Sequence, residues 1–393
     1  MTDQAISTGP NDGRRTRRSA KHRVPPRFAI RMSMWLRRSL LRAADRVLPA
    51  QVALLEHVHQ FVGTYLLSAF AELGIADHLA AGPNTADELA ALVHCDADAL
   101  HRALRAAAAC NLVRLDKRGR FHTTRLMKPM RSIDPGATAD WCRYIGSPSL
   151  QVAWADLAET IRSGQNGFHR NNGMSTFEWF DVHPDEGRRF ASGLGGLTRA
   201  ETQMIIAAYP FPETGTVCDV AGGAGVLLGE ILRSHPGLRG VLVEAPLVLA
   251  EAATYLASIG LADRVQLVEG DLFGEIDATA DIYLLKWILH DWDDATCERI
   301  VKNVVSSMPA SARLVAIEGN QDRNEVHPRF SMIDLQMLTM SEGGKERSGG
   351  EIEQLLTNGG MHPLGTRRTA TDLLLVEADI PDPVQTRPHG VVV

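Results

Sequence analysis

The segment TVCDVAGGAGVLLGEILRS, residues 216–234, decides the fold. It begins with an apolar, β-branched stretch at 217–221, passes through a glycine cluster at 222–225, and continues at once into a helical pattern of apolar residues at 226–234. Glycines at such a turn let the chain bend tightly and let a ligand lie against the backbone, because no Cβ is in the way. The segment therefore predicts the first unit of an α/β domain, with a ligand site at the turn.

The alternation of strand and helix continues beyond this segment. Further strand-like stretches lie at 240–245, 265–270, 281–288, 313–319 and 371–379, and helical patterns at 247–259 and 294–307 separate most of them. Such alternation is typical of a doubly wound, Rossmann-like parallel sheet. We therefore expect residues 206–379 to form the catalytic α/β domain, with ligands at the carboxyl ends of its strands.

The preceding half of the chain is mainly helical and contains the pattern of a winged helix. A helix capped at residues 84–85 and a second helix at about 98–110 are followed by a hairpin, LVRL then RFHTT. Winged helices often bind DNA through basic side chains on the second helix, but this helix carries only Arg102 and Arg105 beside a run of alanines. That face favours packing against protein, so we expect residues 28–205 to form a helical winged-helix domain without a nucleic-acid partner.

The composition is that of an ordinary globular protein. The chain has 393 residues, of which 45% are hydrophobic and 22% charged, and its net charge is −6. These values exclude a disordered, collagen-like or membrane-bundle protein, and the length fits two domains. No apolar run is as long as a membrane span, so we expect no integral membrane association. The five cysteines form no CxxC pair, which predicts free thiols in a reducing compartment and a cytoplasmic location.

The two ends of the chain differ from the rest. Residues 1–50 contain twelve Lys and Arg against three Asp. We expect residues 1–27 to be a disordered basic tail, either simply solvated or acting as an electrostatic arm. The cationic, amphipathic stretch 28–47 is expected to pack on a partner subunit, with a membrane surface as the alternative. Residues 380–393 are expected to form a flexible tail.

Three acidic residues near the ends of three successive strands indicate a ligand that contains an adenosine. Asp219 lies just before the glycine turn, and Glu244 ends the second strand, where a carboxylate can accept both hydroxyls of a ribose. Asp271 follows the third strand, and Phe273 beside it would supply an aromatic wall.

Two cofactors compete for this predicted site. A dinucleotide normally needs the pattern G-x-G-x-x-G and free amides for its pyrophosphate, whereas Gly223, Gly225 and Gly229 are one residue too widely spaced at the last step. Asp219 would also repel any phosphate. S-adenosylmethionine has no phosphate and carries an ammonium and a sulfonium group, which a carboxylate attracts. Electrostatics therefore favours S-adenosylmethionine.

The segment DIYLLKWILHDWDD, residues 281–294, contains the candidate base. His290 follows a buried strand, and a neutral imidazole near pH 7 is suited to deprotonate a hydroxyl; the alternative is a structural histidine bonded to backbone. Glu318, at the end of the next strand, and Glu346, in a glycine-rich loop, are the carboxylates that could orient the ring. For Glu346 the alternative is an ion pair within its own loop. The acids that follow His290 are better explained as a helix N-cap, so we assign no metal.

These motifs resemble those of the plant caffeic acid and bacterial small-molecule O-methyltransferases. The shared segments are DVAGGAG, VEGDLF, LLKWILHDWDD, VAIEG and GGKERS, with GMSTFEWF at 173–180 upstream, and the likeness covers about residues 52–379. The resemblance implies an S-adenosylmethionine-dependent enzyme that forms a homodimer through its winged-helix domain. It also implies methylation of a hydroxyl on a small apolar, aromatic acceptor.

The resemblance implies which residues act. His290 would be the base, flanked by Glu318 and Glu346. The residues expected to hold the cofactor are Asp219, Gly223, Gly225, Glu244, Asp271, Leu272, Phe273, Lys286, Trp292 and Thr198. The residues expected to contact the acceptor are Met337, Ser341 and Asp291. Methionines at helical spacing, which include Met337, suit an adaptable apolar pocket as well as a core.

The chain departs from the family pattern at a few positions. Ala221 replaces the first glycine of the turn, which could shift the loop slightly, and Glu244 stands where plant members usually have Asp. Ser341 and Glu342 replace an Asn-Pro pair of many plant enzymes, so the acceptor specificity of plant members is not carried over.

Two other functions stay open on the sequence alone. Some bacterial relatives on this scaffold hydroxylate or decarboxylate their substrates, with S-adenosylmethionine as a structural or electrostatic element. The presence of His290, Glu318 and Glu346 disfavours that alternative. A winged-helix regulator with a ligand-sensing domain is the alternative from another class, and the apolar second helix disfavours it.

Overall fold

The computed structural model describes residues 26–134, 136–322 and 324–381. The predicted tails at 1–27 and 380–393 lie almost entirely outside the described residues. Among the described helices, none is long and apolar enough to cross a membrane. All five cysteines are free.

The N-terminal part is helical and contains the predicted wing. Its elements are α1 (Arg27–Val47), α2 (Ala50–His59), α3 (Phe61–Glu72), α4 (Ile75–Ala81), α5 (Ala86–Val93), α6 (Ala97–Ala109), β1 (Val113–Leu115) and β2 (Phe121–Thr123). The Thr85 side chain accepts from the N–H of Glu88, whose carboxylate accepts from the N–H of Thr85, and this capping box fixes the start of α5. β1 and β2 pair antiparallel, as predicted for the hairpin.

A second group of helices connects this part to the sheet. It consists of α7 (Thr138–Ile145), α8 (Pro148–Ala155), α9 (Leu157–Ser163), α10 (Gly167–Asn172), α11 (Thr176–Val182) and α12 (Pro184–Ala208). The expected division between residues 205 and 206 falls inside α12, which packs on α7 and reaches the first helix of the α/β part. A continuous helix therefore bridges the two regions.

The C-terminal part alternates between strands and helices. Its elements are β3 (Gly215–Val220), α13 (Val226–Ser234), β4 (Leu238–Glu244), α14 (Pro246–Ser258), β5 (Val265–Glu269), β6 (Ile282–Lys286), α15 (Asp294–Ser307), β7 (Arg313–Glu318), α16 (Pro328–Met340), α17 (Gly349–Asn358), β8 (His362–Arg368) and β9 (Leu374–Asp379). The strand-like stretches of the sequence all form strands, and α13 and α15 have the predicted bounds.

These strands form one sheet, in the order β5-β4-β3-β6-β7-β9-β8 within the described residues. The strands from β3 to β7 are parallel, which confirms a doubly wound core. The stretch 371–379 supplies the last strand, β9, and the sheet becomes mixed there, because β9 runs antiparallel to β7 and β8 antiparallel to β9. The chain passes from β8 to β9 through a short connection without a helix. A connection of this kind joins antiparallel strands, because parallel strands need a longer crossover.

The sheet order places the predicted ligand residues together. β3 lies between β4 and β6, so the carboxyl ends of these three strands, near Asp219, Glu244 and Lys286, open on one crevice. Apolar side chains of α13 and α14 cover one face of the sheet, and those of α15 and α17 cover the other. The two cores hold the strand ends in fixed positions.

Candidate active site

The glycine turn after β3 is tightly packed at Gly222 and open at Gly223. Ala221, Gly223 and Gly225 all adopt left-handed backbone, with φ of 53°, 59° and 74°. A Cβ at Gly222 would lie 2.4 Å from Cγ of Asp219, whereas a Cβ at Gly223 would meet no atom of the described residues within 4 Å. Ala221 adopts this left-handed conformation at a steric cost of about 1–2 kcal/mol, which a glycine would avoid. The turn thus presents open backbone to a ligand.

Asp219 lies beneath this turn as a buried carboxylate. The residue is 1% exposed, and neither carboxylate oxygen has a hydrogen-bond partner among the described residues. Burial raises the pKa of Asp219 to about 7, although the charge of Lys286 opposes this. An unpartnered buried carboxylate is stabilised by a nearby positive charge. The site therefore fits a cofactor that carries an ammonium and a sulfonium.

Two further acids frame the crevice. The Glu244 carboxylate accepts from the N–H of Gly223 at 3.0 Å and from the N–H of Ala245 at 2.8 Å, and burial raises its pKa. Asp271 is exposed, and its Oδ1 accepts from the N–H of Phe273 at 2.8 Å. Carboxylate oxygens have two lone pairs each, so both groups keep capacity to accept from hydroxyls.

Lys286, at the end of β6, connects the crevice to α12. Its Nζ donates to Oγ1 of Thr198 at 3.0 Å and lies 3.1 Å from Oε2 of Glu201. Burial lowers the pKa of Lys286, while the charges of Glu201 and Asp219 oppose this effect. The ammonium group is therefore held between the crevice acids and a buried carboxylate.

Aromatic side chains line the other side of the crevice. The Trp292 ring meets Phe273 edge-on, with centroids 5.2 Å apart, and stacks on Phe177 at 5.9 Å. Leu272 packs against one of the two sheet cores. Trp292 thus joins the expected cofactor contacts to Phe177, which belongs to the GMSTFEWF segment.

Two buried side chains hold the backbone of the loop that carries His290. Oε1 of Glu318 accepts from the N–H of Leu289 at 2.9 Å and from the preceding N–H at 3.1 Å. Arg347 donates to the carbonyl oxygen of Leu289 at 2.5 Å. Burial raises the pKa of Glu318 to about 7, against the charge of His290. Glu318 therefore has a different contact from the one expected, because it holds the loop backbone and not the imidazole ring.

Glu346 contacts the ring directly. Its Oε1 lies 2.7 Å from Nδ1 of His290, and Oδ1 of Asp291 lies 3.5 Å from Nε2. Burial alone would lower the pKa of His290, but the charges of Asp291 and Glu346 outweigh it and raise that pKa to about 10. The loop ion pair considered for Glu346 is absent among the described residues, since Lys345 pairs with Asp294 at 2.9 Å.

Glycines allow the two loops to approach. A Cβ at Gly344 would lie 2.6 Å from the carbonyl oxygen of His290, and Gly343 has a φ of 83°. A Cβ at Gly319 would lie 2.1 Å from Oε2 of Glu346. The glycine pair before Lys-Glu-Arg and the glycine after β7 are therefore needed to bring Glu346 to the ring.

The acids after His290 have structural partners. Oδ1 of Asp293 accepts from the N–H of Thr296 at 2.7 Å, which caps α15 as predicted. Asp294 pairs with Lys345 and Arg347. Across the part of the chain that the structure describes, no group of His, Cys, Asp and Glu side chains is placed to hold a metal ion.

A cavity of about 340 Å³ opens beside His290. Its size lies in the range of small-ligand sites. Its walls include Trp141, Phe177, Phe190, Trp287, Met337 and Met340, and also the expected acceptor contacts Ser341 and Asp291. Met332, on the same helix as Met337, is 68% exposed and does not line the cavity.

Three residues of the site were missed by the sequence analysis. Glu201 is buried in α12 and accepts from Nε1 of Trp287 at 3.1 Å while pairing with both Lys286 and Arg329. The Trp287 ring lies 4.8 Å from the ring of His290. Trp287 lies in the segment LLKWILHDWDD, so its resemblance to the family could have indicated this residue. Glu201 and Arg329 are 128 positions apart, and no local pattern links them.

The chain is similar in sequence to known proteins over most of its length. A family model described as the O-methyltransferase domain matches residues 154–362, and one described as the O-methyltransferase dimerisation domain matches residues 55–128. The chain is 34% identical over 331 residues to a phenazine O-methyltransferase of Lysobacter antibioticus, which covers 84% of this chain and 96% of the relative. It is 32% identical over 336 residues to the O-demethylpuromycin O-methyltransferase of Streptomyces alboniger, covering 84% and 89%.

A solved structure shows the same fold. The mitomycin 7-O-methyltransferase structure superposes with a TM-score of 0.78 at 30% identity, covering 87% of this chain and 100% of that chain. Its likeness extends over both the helical region and the sheet. The motifs, the architecture and these relatives lead to one assignment: the chain belongs to the S-adenosylmethionine-dependent O-methyltransferase family.

Proposed function

We propose that the chain transfers a methyl group from S-adenosylmethionine to a hydroxyl of a small aromatic acceptor. The observation that carries this proposal is the Glu346–His290 pair, with 2.7 Å between Oε1 and Nδ1, at the wall of an apolar cavity. The aromatic lining of the cavity supports an aromatic acceptor, since stacked rings bury large flat surfaces. Met337, Ser341 and Asp291 would contact it.

Relatives support an aromatic natural-product acceptor. One is named for phenazine, and the structure of NcsB1 from neocarzinostatin biosynthesis, with 28% identity and a TM-score of 0.70, was solved with 1,4-dihydroxy-2-naphthoic acid and S-adenosylhomocysteine. Flat, fused-ring acceptors such as a phenazine or a naphthoic acid match a cavity of about 340 Å³ with several aromatic walls.

His290 is proposed to take the proton of the acceptor hydroxyl. Because Nδ1 faces Glu346, the neutral ring offers Nε2 as the acceptor of that proton. Protonation then places the positive charge between Glu346 and Asp291, which stabilise it. The raised pKa of His290 makes its neutral form a strong base, and it also means that little of that form is present near neutral pH in the free enzyme.

The cofactor is proposed to lie in the crevice at the ends of β3, β4 and β6. When bound, S-adenosylmethionine supplies the methyl group as an electrophile on a positively charged sulfur. Asp219 would balance positive charge, Glu244 would accept from ribose hydroxyls, and the open backbone at Gly223 would leave room for the ligand. The rest of the proposed set is Gly225, Asp271, Leu272, Phe273, Lys286, Trp292 and Thr198. The apolar cavity would exclude water and position the acceptor.

We also propose that the chain forms a homodimer through an N-terminal domain at residues 28–205, with residues 206–379 as the catalytic domain. The match to the dimerisation family model supports this. So do the exposed large apolar side chains of α1 to α3, which include Phe28, Trp35, Leu40, Leu54, Leu55, Val58 and Phe61. Exposed apolar surface of this extent is typical of an interface.

The reaction is tested with methyl-labelled S-adenosylmethionine and a panel of hydroxylated aromatics, analysed by mass spectrometry. We expect label on an acceptor oxygen, and a loss of at least about 10²-fold in the His290→Ala variant with cofactor affinity unchanged. Equal rates in the two proteins would exclude His290 as the base. Failure to bind S-adenosylmethionine would overturn the proposed cofactor site.

The same experiment separates two other outcomes. A relative at 31% identity is a phenazine-1-carboxylate N-methyltransferase of Pseudomonas aeruginosa. An amine acceptor has a free lone pair, so label on nitrogen that is insensitive to His290→Ala would favour N-methylation. A hydroxylated or decarboxylated product without label would favour the alternative chemistry on this scaffold.

A further inference from the structure

Glu201 is a buried carboxylate shared by two cations. Its side chain is 5% exposed, and its oxygens face Nζ of Lys286 at 3.1 Å and the guanidinium of Arg329. Burial would raise the pKa of Glu201, but the charges of these two residues outweigh it and lower that pKa. Glu201 therefore shares one negative charge between two cations, and Lys286 also has the charge of Asp219 nearby.

Of these two cations, Arg329 is the more accessible to a ligand in the cavity. Both cations line the cavity, but the Lys286 side chain is only 6% exposed and also donates to Thr198, whereas the Arg329 side chain is 37% exposed. A guanidinium has five donors in a planar fork, and one carboxylate does not use them all. Arg329 thus keeps donors for a second anion.

The acidic residues of the cavity are engaged elsewhere. Glu178 accepts from the N–H and hydroxyl of Ser175 at 2.8 and 2.7 Å, and Glu342 lies 2.5 Å from Nδ1 of His169. Asp291 faces His290. None of these contacts supplies a second anion to Arg329, so its remaining donors are open to a ligand.

Arg329 and the base lie along one wall. The Trp287 ring is 4.8 Å from the ring of His290 and 5.9 Å from Cζ of Arg329. A flat acceptor that stacks along this wall would present a hydroxyl to His290 at one end and an acidic group to Arg329 at the other. We propose that the acceptor is a hydroxylated aromatic acid whose carboxylate binds Arg329 as a charge-assisted pair. This inference rests on the proposed function.

The test is equilibrium binding measured by calorimetry in the presence of S-adenosylhomocysteine, so that no turnover occurs. The probes are a hydroxynaphthoic acid with its substituents on different rings, its methyl ester and the corresponding naphthol. The proteins are the wild type, Arg329→Gln, Arg329→Lys and the control Arg188→Gln, whose arginine lies on α12 outside the cavity and pairs with Asp185. In Arg329→Gln, Glu201 keeps Lys286 and Trp287 as partners, so folding is preserved.

We expect the wild type to bind the acid about ten- to a hundredfold more tightly than the ester. Arg329→Gln should lose this preference, Arg329→Lys should keep part of it because the charge remains without the fork, and Arg188→Gln should keep all of it. Equal affinity for acid and ester in the wild type, an unchanged preference in Arg329→Gln, or no binding of the acid would overturn the inference.

A parallel assay with labelled S-adenosylmethionine separates the two proposals. Methylation of the naphthol and the ester without a preference for the acid would leave the proposed function standing and overturn the role of Arg329. An Arg329-dependent preference for the acid without methylation of any probe would support the binding site while contradicting the proposed reaction.

Discussion

Among single residues, Glu346 and Asp291 control when His290 can accept a proton. Their charges outweigh burial and raise the pKa of His290 to about 10. Since only the neutral ring is a base, kcat/KM should rise with pH up to about that value. Glu346→Gln removes one of the raising charges, so the rising limb should move to lower pH by about one unit or more. The maximal rate should also fall, because the ring loses the carboxylate that orients it.

The measurement is the pH profile of kcat/KM for the wild type and the variant with one acceptor. Glu342→Gln is the matched control, because Glu342 also lines the cavity but pairs with His169. Its rising limb should stay in place. If kcat/KM rises at the same pH in the wild type and in Glu346→Gln, the ionisation of His290 does not determine the pH dependence.

Asp219 makes a second prediction at this scale. Its pKa is raised by burial to about 7, so the carboxylate loses its proton as pH rises through neutrality, and only then does it attract a cation. The affinity for S-adenosylmethionine should therefore rise between about pH 6 and about pH 8. In Asp219→Asn the affinity should be lower and nearly independent of pH.

Calorimetric titrations at both pH values check this prediction. S-adenosylhomocysteine lacks the sulfonium charge, so its affinity for the wild type should depend less on pH. Asp263→Asn, which removes an exposed carboxylate, should behave like the wild type. A variant at Asp219 that keeps the wild-type pH dependence would assign that dependence to another group.

The residues predicted from sequence share one property, which is a local signal. His290, Glu346 and Asp219 each stand in a short motif, and Asp293 has the position of an N-cap before a helical pattern. The pairing of Glu201 with Arg329 depends on how α12 lies beside α16, and sequence spacing carries no trace of that contact. The backbone contact of Glu318 could not be predicted either, because its end-of-strand position is compatible with both ring and backbone partners.

At the scale of elements, the packing of α12 on the start of α7 depends on small residues. A Cβ at Gly196 would lie 1.6 Å from the carbonyl oxygen of Gly136, and one at Gly193 would lie 2.9 Å from Cα of Trp141. Both obstacles are backbone atoms, which cannot rotate away. Gly196→Ala should therefore lower the free energy of unfolding by about 1–3 kcal/mol or more through overpacking.

The adjacent glycine is a matched control for this prediction. A Cβ at Gly195 would lie 3.6 Å from Cγ2 of Val226, which is an ordinary contact. Gly195→Ala should raise stability by about 0.5–1 kcal/mol, since alanine is the better helix former. Denaturant unfolding of both variants measures the difference. Equal stabilities would mean that the helix can move away from Gly136 at no cost.

The last strands explain why the sheet was predicted only in part. β9 has the sequence LLVEAD with buried apolar residues, and its strand pattern is clear. β8 has the sequence HPLGTRR, is largely exposed and, among the described strands, pairs only with β9, so no alternation of apolar side chains marks it. Without a recognisable β8, no pattern in the sequence indicates that the chain reverses direction before its last strand.

At the scale of the whole molecule, exposed apolar side chains on the N-terminal helices predict how two copies associate. Leu55, in α2, is 57% exposed, and Leu54 and Val58 on the same helix are 65% and 56% exposed. Burying a leucine stabilises a complex by about 1.5–3 kcal/mol, and a two-fold interface contains each position twice. Leu55→Asp should therefore weaken dimerisation by at least about 10²-fold, because it also buries a charge at each copy.

Sedimentation of the purified protein over a range of concentrations measures this effect. Leu247→Asp is the matched control. Leu247 is also an exposed leucine, at 74%, but it lies on α14, which packs against the sheet and is not one of the N-terminal helices. We expect a dimer for the wild type and for Leu247→Asp, and a monomer for Leu55→Asp at the same concentration. A monomeric wild type, or a dimer that tolerates aspartate at Leu55, would place any interface elsewhere. The activity per chain of Leu55→Asp then shows whether the cavity between α12 and α16 needs the second copy to keep its shape. Such a dependence is expected because α3, one of the helices with exposed apolar side chains, packs on α7, and α7 contributes Trp141 to the cavity wall.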